Sequence, residues 1–108
     1  MSNHPVIDQL EPEALDPSQI ILGDPQVSSL TLYEGEGYEA GLWQITPGEV
    51  TDVEAEESFM VIKGRATIEY SDGRAFTVGP GDTHHFEGGE ETTWKVEETL
   101  LKSWWIKG

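Results

Sequence analysis

The amino-acid sequence predicts an all-β domain, an antiparallel sandwich or barrel. Three observations carry this expectation. From Ser29 onward, short runs rich in β-branched and aromatic residues follow one another at close intervals. Turn residues separate them, most plainly Asp72-Gly73, because Asp-Gly accepts the positive φ that a tight hairpin needs. Apolar residues nowhere hold a helical period over a window of about 11 residues.

Each element follows in order. Residues 1–28 hold four of the six prolines (Pro5, Pro12, Pro17 and Pro25) and few large apolar side chains. They read as an extended N-terminal arm with one short strand at Ile20–Leu22. Residues 29–108 read as the barrel. Leu30–Tyr33 alternates and then meets Gly35 and Gly37. Tyr38–Thr46 is closed by Pro47-Gly48, and Ser58–Lys63 is an apolar run that stops at Gly64. Ala66–Tyr70 and Arg74–Val78 flank the Asp72-Gly73 turn. Gly79-Pro80-Gly81-Asp82 makes a second turn before Thr83–Phe86, and Thr92–Glu97 and Leu101–Ile106 complete the set. Roughly nine short strands fit one sandwich or barrel. A chain of 108 residues has no room for a second core.

Charge narrows the function classes. The chain carries 21 Asp and Glu against six Lys and Arg, a net charge of −15. Thirteen of the acids precede Lys63, the first base. Such a surface repels phosphates, so neither nucleic acid nor an anionic membrane is an expected partner. Solubility is the expected role of the acidic half, with a basic partner as the alternative. There is no cysteine, which excludes disulfides and thiolate zinc sites. With neither a long apolar run nor a leader pattern, a cytoplasmic location is expected.

The runs Gly41-Leu42-Trp43-Gln44-Ile45-Thr46-Pro47-Gly48 and Glu57-Ser58-Phe59-Met60-Val61-Ile62-Lys63-Gly64-Arg65 point to a family by their order and spacing. So do Gly81-Asp82, Phe86-Glu87-Gly88-Gly89, Trp94-Lys95-Val96 and Lys102. From about Gly23 to Ile106 the chain resembles the cupin superfamily. More narrowly, it is similar to the small single-domain cupins grouped with (S)-ureidoglycine aminohydrolase. The resemblance implies a jelly-roll barrel, also called a double-stranded β-helix, pairing as a homodimer. It also implies a metal held by three histidines and a glutamate, where the family enzyme releases ammonia from its substrate. Glu57 and Gly64 keep the E-x6-G part of the first motif, while the histidine places fall on Thr51, Val53 and Thr92. One carboxylate does not hold a transition metal tightly. We therefore expect no bound cofactor, with a divalent transition metal as the alternative.

The candidate site follows from strand alternation. Glu57 shares a face with Phe59 and Val61. A carboxylate buried there must be hydrogen-bonded, paired or protonated, which makes it a candidate general acid or base. The alternative is a solvated Glu57 near the mouth. His84 shares a face with Phe86 and is the candidate assistant to Glu57, whereas His85 must face outward. A lone strand histidine is otherwise a packing residue, and His4 lies in the arm with no expected role. Trp43, Phe59, Phe86, Thr92 and Trp94 are the candidate ligand-binding residues; their alternative is to fill the barrel. Of Trp104 and Trp105, one must lie outside, which suggests a subunit interface.

Two functions remain open. The first is a cupin that binds a small polar metabolite in its barrel, either as a binder or as an enzyme of the ureidoglycine aminohydrolase type acting on a nitrogen-containing compound. The second is a non-catalytic dimeric scaffold.

Overall fold

The computed structural model describes residues 9–107. Among the described residues, nine strands form one curled antiparallel sheet: β1 Glu11–Glu13, β2 Ile20–Leu22, β3 Val27–Gly35, β4 Tyr38–Ile45, β5 Gly48–Val53, β6 Glu57–Tyr70, β7 Ala75–Val78, β8 Thr83–Phe86 and β9 Glu91–Lys107. A 3-10 turn, Pro17–Gln19, precedes β2; the Asp16 carboxylate caps it by accepting from the Ser18 amide. Among the described residues no helix is long and apolar enough to cross a membrane. The first eight residues of the predicted arm, His4 among them, lie outside the described residues.

Two long strands organise the sheet. β6 and β9 pair along their whole length, from Ser58↔Trp105 to Tyr70↔Thr92. The first half of β6 also pairs β8, and its second half pairs β7. The second half of β9 pairs β4, and its first half pairs β5. The molecule is thus two half-sheets that share two bent strands. β1 extends one half beside β3, and β2 extends the other beside β5. Between the halves lie Ile45, Val50, Phe59, Val61, Ala66, Ile68, Phe86, Trp94 and Leu100, all nearly or wholly buried. The Phe59 ring sits 5.8 Å from Phe86 and 5.7 Å from Trp94, so three aromatics anchor the core.

The bend falls at Gly64. Its φ is +92°, and the register of β6 against β9 slips on both sides of it. A side chain there would run into the Thr99 carbonyl. The slip also changes the inward series of β6, from Glu57, Phe59 and Val61 to Ala66 and Ile68. This is a bulge used as a corner.

The all-β expectation holds, and the turns at Asp72-Gly73 and Gly79–Asp82 lie between strands as expected. Three details differ. Ser58–Lys63 and Ala66–Tyr70 are one strand, because the bulge lets the chain bend at Gly64 without leaving the ladder. Thr92–Glu97 and Leu101–Ile106 are also one strand, continuous through the exposed Glu97 and Glu98. Gly48–Val53 is a strand that its acidic composition concealed.

Gly64→Ala should lower unfolding free energy by about 3 kcal/mol or more, since positive φ and steric clash act together. Gly73 has a φ of +96° but open space around it. Gly73→Ala should cost only about 1 kcal/mol. Urea denaturation of both variants checks the difference.

Candidate functional site

A cavity of about 360 Å³ opens between the half-sheets. Its walls come from β4 (Trp43, Ile45), β5 (Val50, Asp52), β6 (Glu57) and β9 (Trp94, Lys102, Trp104), with Glu54 from the β5–β6 loop. Glu13, Leu15 and Gln19 of the arm roof it. Ser29 Oγ donates to Glu13 at 2.7 Å, and Gln19 Nε2 donates to the Thr51 carbonyl at 3.0 Å, so the roof is tied to the barrel on two sides.

The polar centre is an ion pair. Lys102 Nζ donates to Glu57 Oε2 at 2.5 Å, and the two side chains are only 7% and 15% exposed. The ammonium also lies 4.6 Å from the ring of Phe59, 4.9 Å from Trp43 and 5.1 Å from Trp94. Negative ring faces and a carboxylate thus replace the water that burial removes. Alternation explains the placement. Thr92, Trp94, Val96, Leu100 and Lys102 are all buried on one face of β9. Gly41, opposite Trp104, supplies the room for that ring: a side chain there would meet it at 2.6 Å.

A second carboxylate is buried beside the first. Glu54 is 6% exposed, and its Oε2 accepts from Thr92 Oγ1 at 2.6 Å and from Trp94 Nε1 at 2.9 Å. Burial raises its pKa above the ordinary carboxylate value, and the two hydrogen bonds oppose this only in part. Asp52, at the rim, is also raised by loss of water. The Val53 amide and Lys102 counter that rise, while Glu57 adds to it.

Glu57, Trp43 and Trp94 come together in the cavity wall. Phe59 and Phe86 are wholly buried in the core, Phe59 directly beneath the ammonium. Thr92 is buried as the hydroxyl donor to Glu54. His84 is not brought to Glu57. It faces Phe76, with ring centroids 4.3 Å apart, and its Nε2 bonds the Tyr70 hydroxyl at 2.8 Å. Burial among these rings lowers its pKa. His85 is exposed, its Nδ1 bonded to Ser58 Oγ at 2.7 Å. Trp105 is the outer tryptophan, 43% exposed.

Of the alternatives for a buried Glu57, pairing is the one observed: Lys102 reaches it from the neighbouring strand of the same ladder. The buried residues after Gly48 are Val50 and Glu54, with Asp52 and Thr51 at the edge of the cavity and Val53 turned to solvent. Val53 is 66% exposed, and the Thr51 hydroxyl faces the Gln19 carbonyl. A shift of one residue exchanges the two faces of a strand. Lys102 and Glu54 are the residues the sequence reading missed. The even-numbered series from Thr92 leads to Lys102, but only if β9 is read as unbroken.

The curled sheet around this site is a cupin fold, and a solved structure of a Pseudomonas syringae pv. tomato protein of the DUF861 family and unknown function shares that fold. That protein is 29% identical with a TM-score of 0.79, and the match covers 89% of this chain and 43% of the other. The chain belongs to the EutQ-like cupin domain family, which it matches over residues 32–104. The Clostridium difficile EutQ protein shares the fold at 16% identity and a TM-score of 0.66, over 75% of this chain and 61% of that one. Ectoine synthase from P. lautus does so at 19% identity and a TM-score of 0.70, over 86% and 71%. The chain therefore spans less than half of the Pseudomonas protein and less than two thirds of EutQ. No curated protein matches it. The barrel is the jelly roll that the resemblance implies.

The metal that the cupin resemblance implies does not fit this centre. Glu57 is engaged by an ammonium, which would repel a divalent cation. The Thr92 position offers a hydroxyl already committed to Glu54. Among the described residues no three His, Asp or Glu side chains are grouped so as to hold an ion.

Lys102→Met should destabilise the fold by about 3–5 kcal/mol, because it leaves a buried carboxylate without its partner. Glu57→Gln should cost a similar amount, and the double variant should recover most of the loss. A double-mutant cycle by chemical denaturation checks this.

Proposed function

We propose that this cupin binds a small nitrogen-bearing metabolite in its barrel without a resident metal. The observation that carries the reading is the cavity wall itself. Asp52, Glu54 and Glu57 face a space lined by the Trp43, Trp94 and Trp104 rings, with Lys102 as the single base among its residues. Acid beside aromatic surface favours amines and other positively polarised nitrogen groups over anions. The volume lies at the small end of the range for metabolite sites. The same wall supports an enzyme of the ureidoglycine aminohydrolase type as the catalytic form of this reading. In that form the proton donor comes from Glu54 or Asp52, since His84 is engaged by Tyr70 outside the cavity.

Calorimetry against a panel of small amines, amides, ureido compounds and carboxylic acids tests the reading. Nitrogen-bearing compounds should bind, and Trp43→Ala should weaken them by about tenfold or more. Preference for the acids, or indifference to every compound, would refute it.

We also propose that a second copy of the chain covers the outer face of the sheet. The register of β3, β4, β9 and β6 sets Leu30, Leu42 and Met60 on one rung, with Trp105 on the next and Leu101 and Ile62 nearby. Met60, Ile62 and Trp105 are exposed, and the band contains no acid in a chain of net charge −15. Two copies can meet there with their charges held at the periphery. Trp105→Glu should convert a dimer to a monomer in sedimentation velocity; a wild-type monomer would exclude the pairing.

A further inference from the structure

Glu57 is the obvious acid of the cavity, but its contacts tie it to Lys102. Glu54 is held differently. Both of its hydrogen bonds fall on one oxygen, Oε2. Among the described residues Oε1 has no partner, yet among them no fully buried side-chain oxygen lacks one. Oε1 is therefore open, and the cavity that Glu54 lines is the space it opens to.

We propose that Glu54, not Glu57, carries the exchangeable proton of this cavity and presents it from Oε1 to a carbonyl-type oxygen of the bound molecule. This deepens the reading of the barrel as a ligand site and rests on it. Thr92 and Trp94 act as positioning residues: they fix Oε2, so the proton has one place to go, toward the cavity. The ligand class follows. Its oxygen meets Glu54, and an N–H or ammonium meets the Asp52 carboxylate at the rim, as in a small amide or an amino-acid-like compound. Glu57 and Lys102 neutralise each other and leave that pairing undisturbed.

The charged and titratable groups around Glu54 are Asp52 from β5, Glu57 and Tyr70 from β6, Lys102 from β9 and Glu13 from the arm. Asp52 helps hold the proton on Glu54, and Lys102 opposes it. Burial is the larger influence and raises the folded-state pKa. The native state then binds more protons than the unfolded chain just above the ordinary glutamate range. The stability this group confers is complete below that range and is lost as pH rises through the folded value.

The test uses the Trp94 indole N–H as a reporter in an NMR pH titration of the full chain. Its signal should move with a midpoint above the ordinary glutamate value, and the transition should vanish in Glu54→Gln. The Gln oxygen still accepts from Thr92 and Trp94, so that variant keeps the fold. Acetamide serves as the probe ligand. Its affinity for the wild type should fall about tenfold per pH unit above the midpoint, while Glu54→Gln, which offers an amide donor at every pH, should bind it without pH dependence. A transition at the ordinary value, one that survives Glu54→Gln, or pH-independent acetamide binding by the wild type overturns the proposal. The indole titration needs no ligand, so its failure counts against Glu54 alone. A compound panel in which nothing binds counts against the cavity reading alone.

Discussion

The centre of this barrel depends on one buried ion pair. Lys102 and Glu57 reach each other from neighbouring strands of one ladder, and three rings close around the ammonium. Such a pair contributes little net stability, because removing two charges from water costs about as much as their attraction returns. What it contributes is position. The ammonium engages Glu57 in the cavity wall, lies against Trp43, Phe59 and Trp94, and leaves Glu54 and Asp52 as the carboxylates with room to act.

The fold serves this centre through its two shared strands. β6 carries Glu57 in the half that pairs β8, while β9 carries Trp94 in one half-sheet and Lys102 in the other. Because β6 bends at the Gly64 bulge and β9 continues without a change of face, residues from both half-sheets converge on one space. A flat sheet would have left Trp94 and Lys102 roughly 25 Å apart along the strand.

Much of the fold was legible in the sequence. Asp72-Gly73, Gly79–Asp82 and the alternation around Phe59 and Phe86 mark strands and turns by local chemistry alone. The long strands were harder to read. Glu97 and Glu98 look like a loop, and only their place at the exposed turn of a curled sheet keeps them in the ladder. In the site, Glu57, Trp43 and Trp94 could be read from alternation. Lys102 could not, because Leu101 and Trp105 argue for the opposite face just as well. Glu54 was hidden for a different reason. It follows the end of β5, where no period applies, and the glycine-to-glutamate spacing points to Val53, which faces solvent, one residue short of it. His84 was legible as an inward histidine; that Tyr70 would claim it depends on the second half of β6 folding back over β8.

The roof over the cavity has a consequence of its own. Glu13, Leu15 and Gln19 come from a stretch whose strands are three residues long and whose side chains are largely exposed. The interior is assembled from deeply packed sheet, but its doorway is cut from the part of the chain least bound to it. Evolution could therefore rewrite what is admitted without touching the chemistry inside. Related barrels with the same walls and different entrances would then serve different guests.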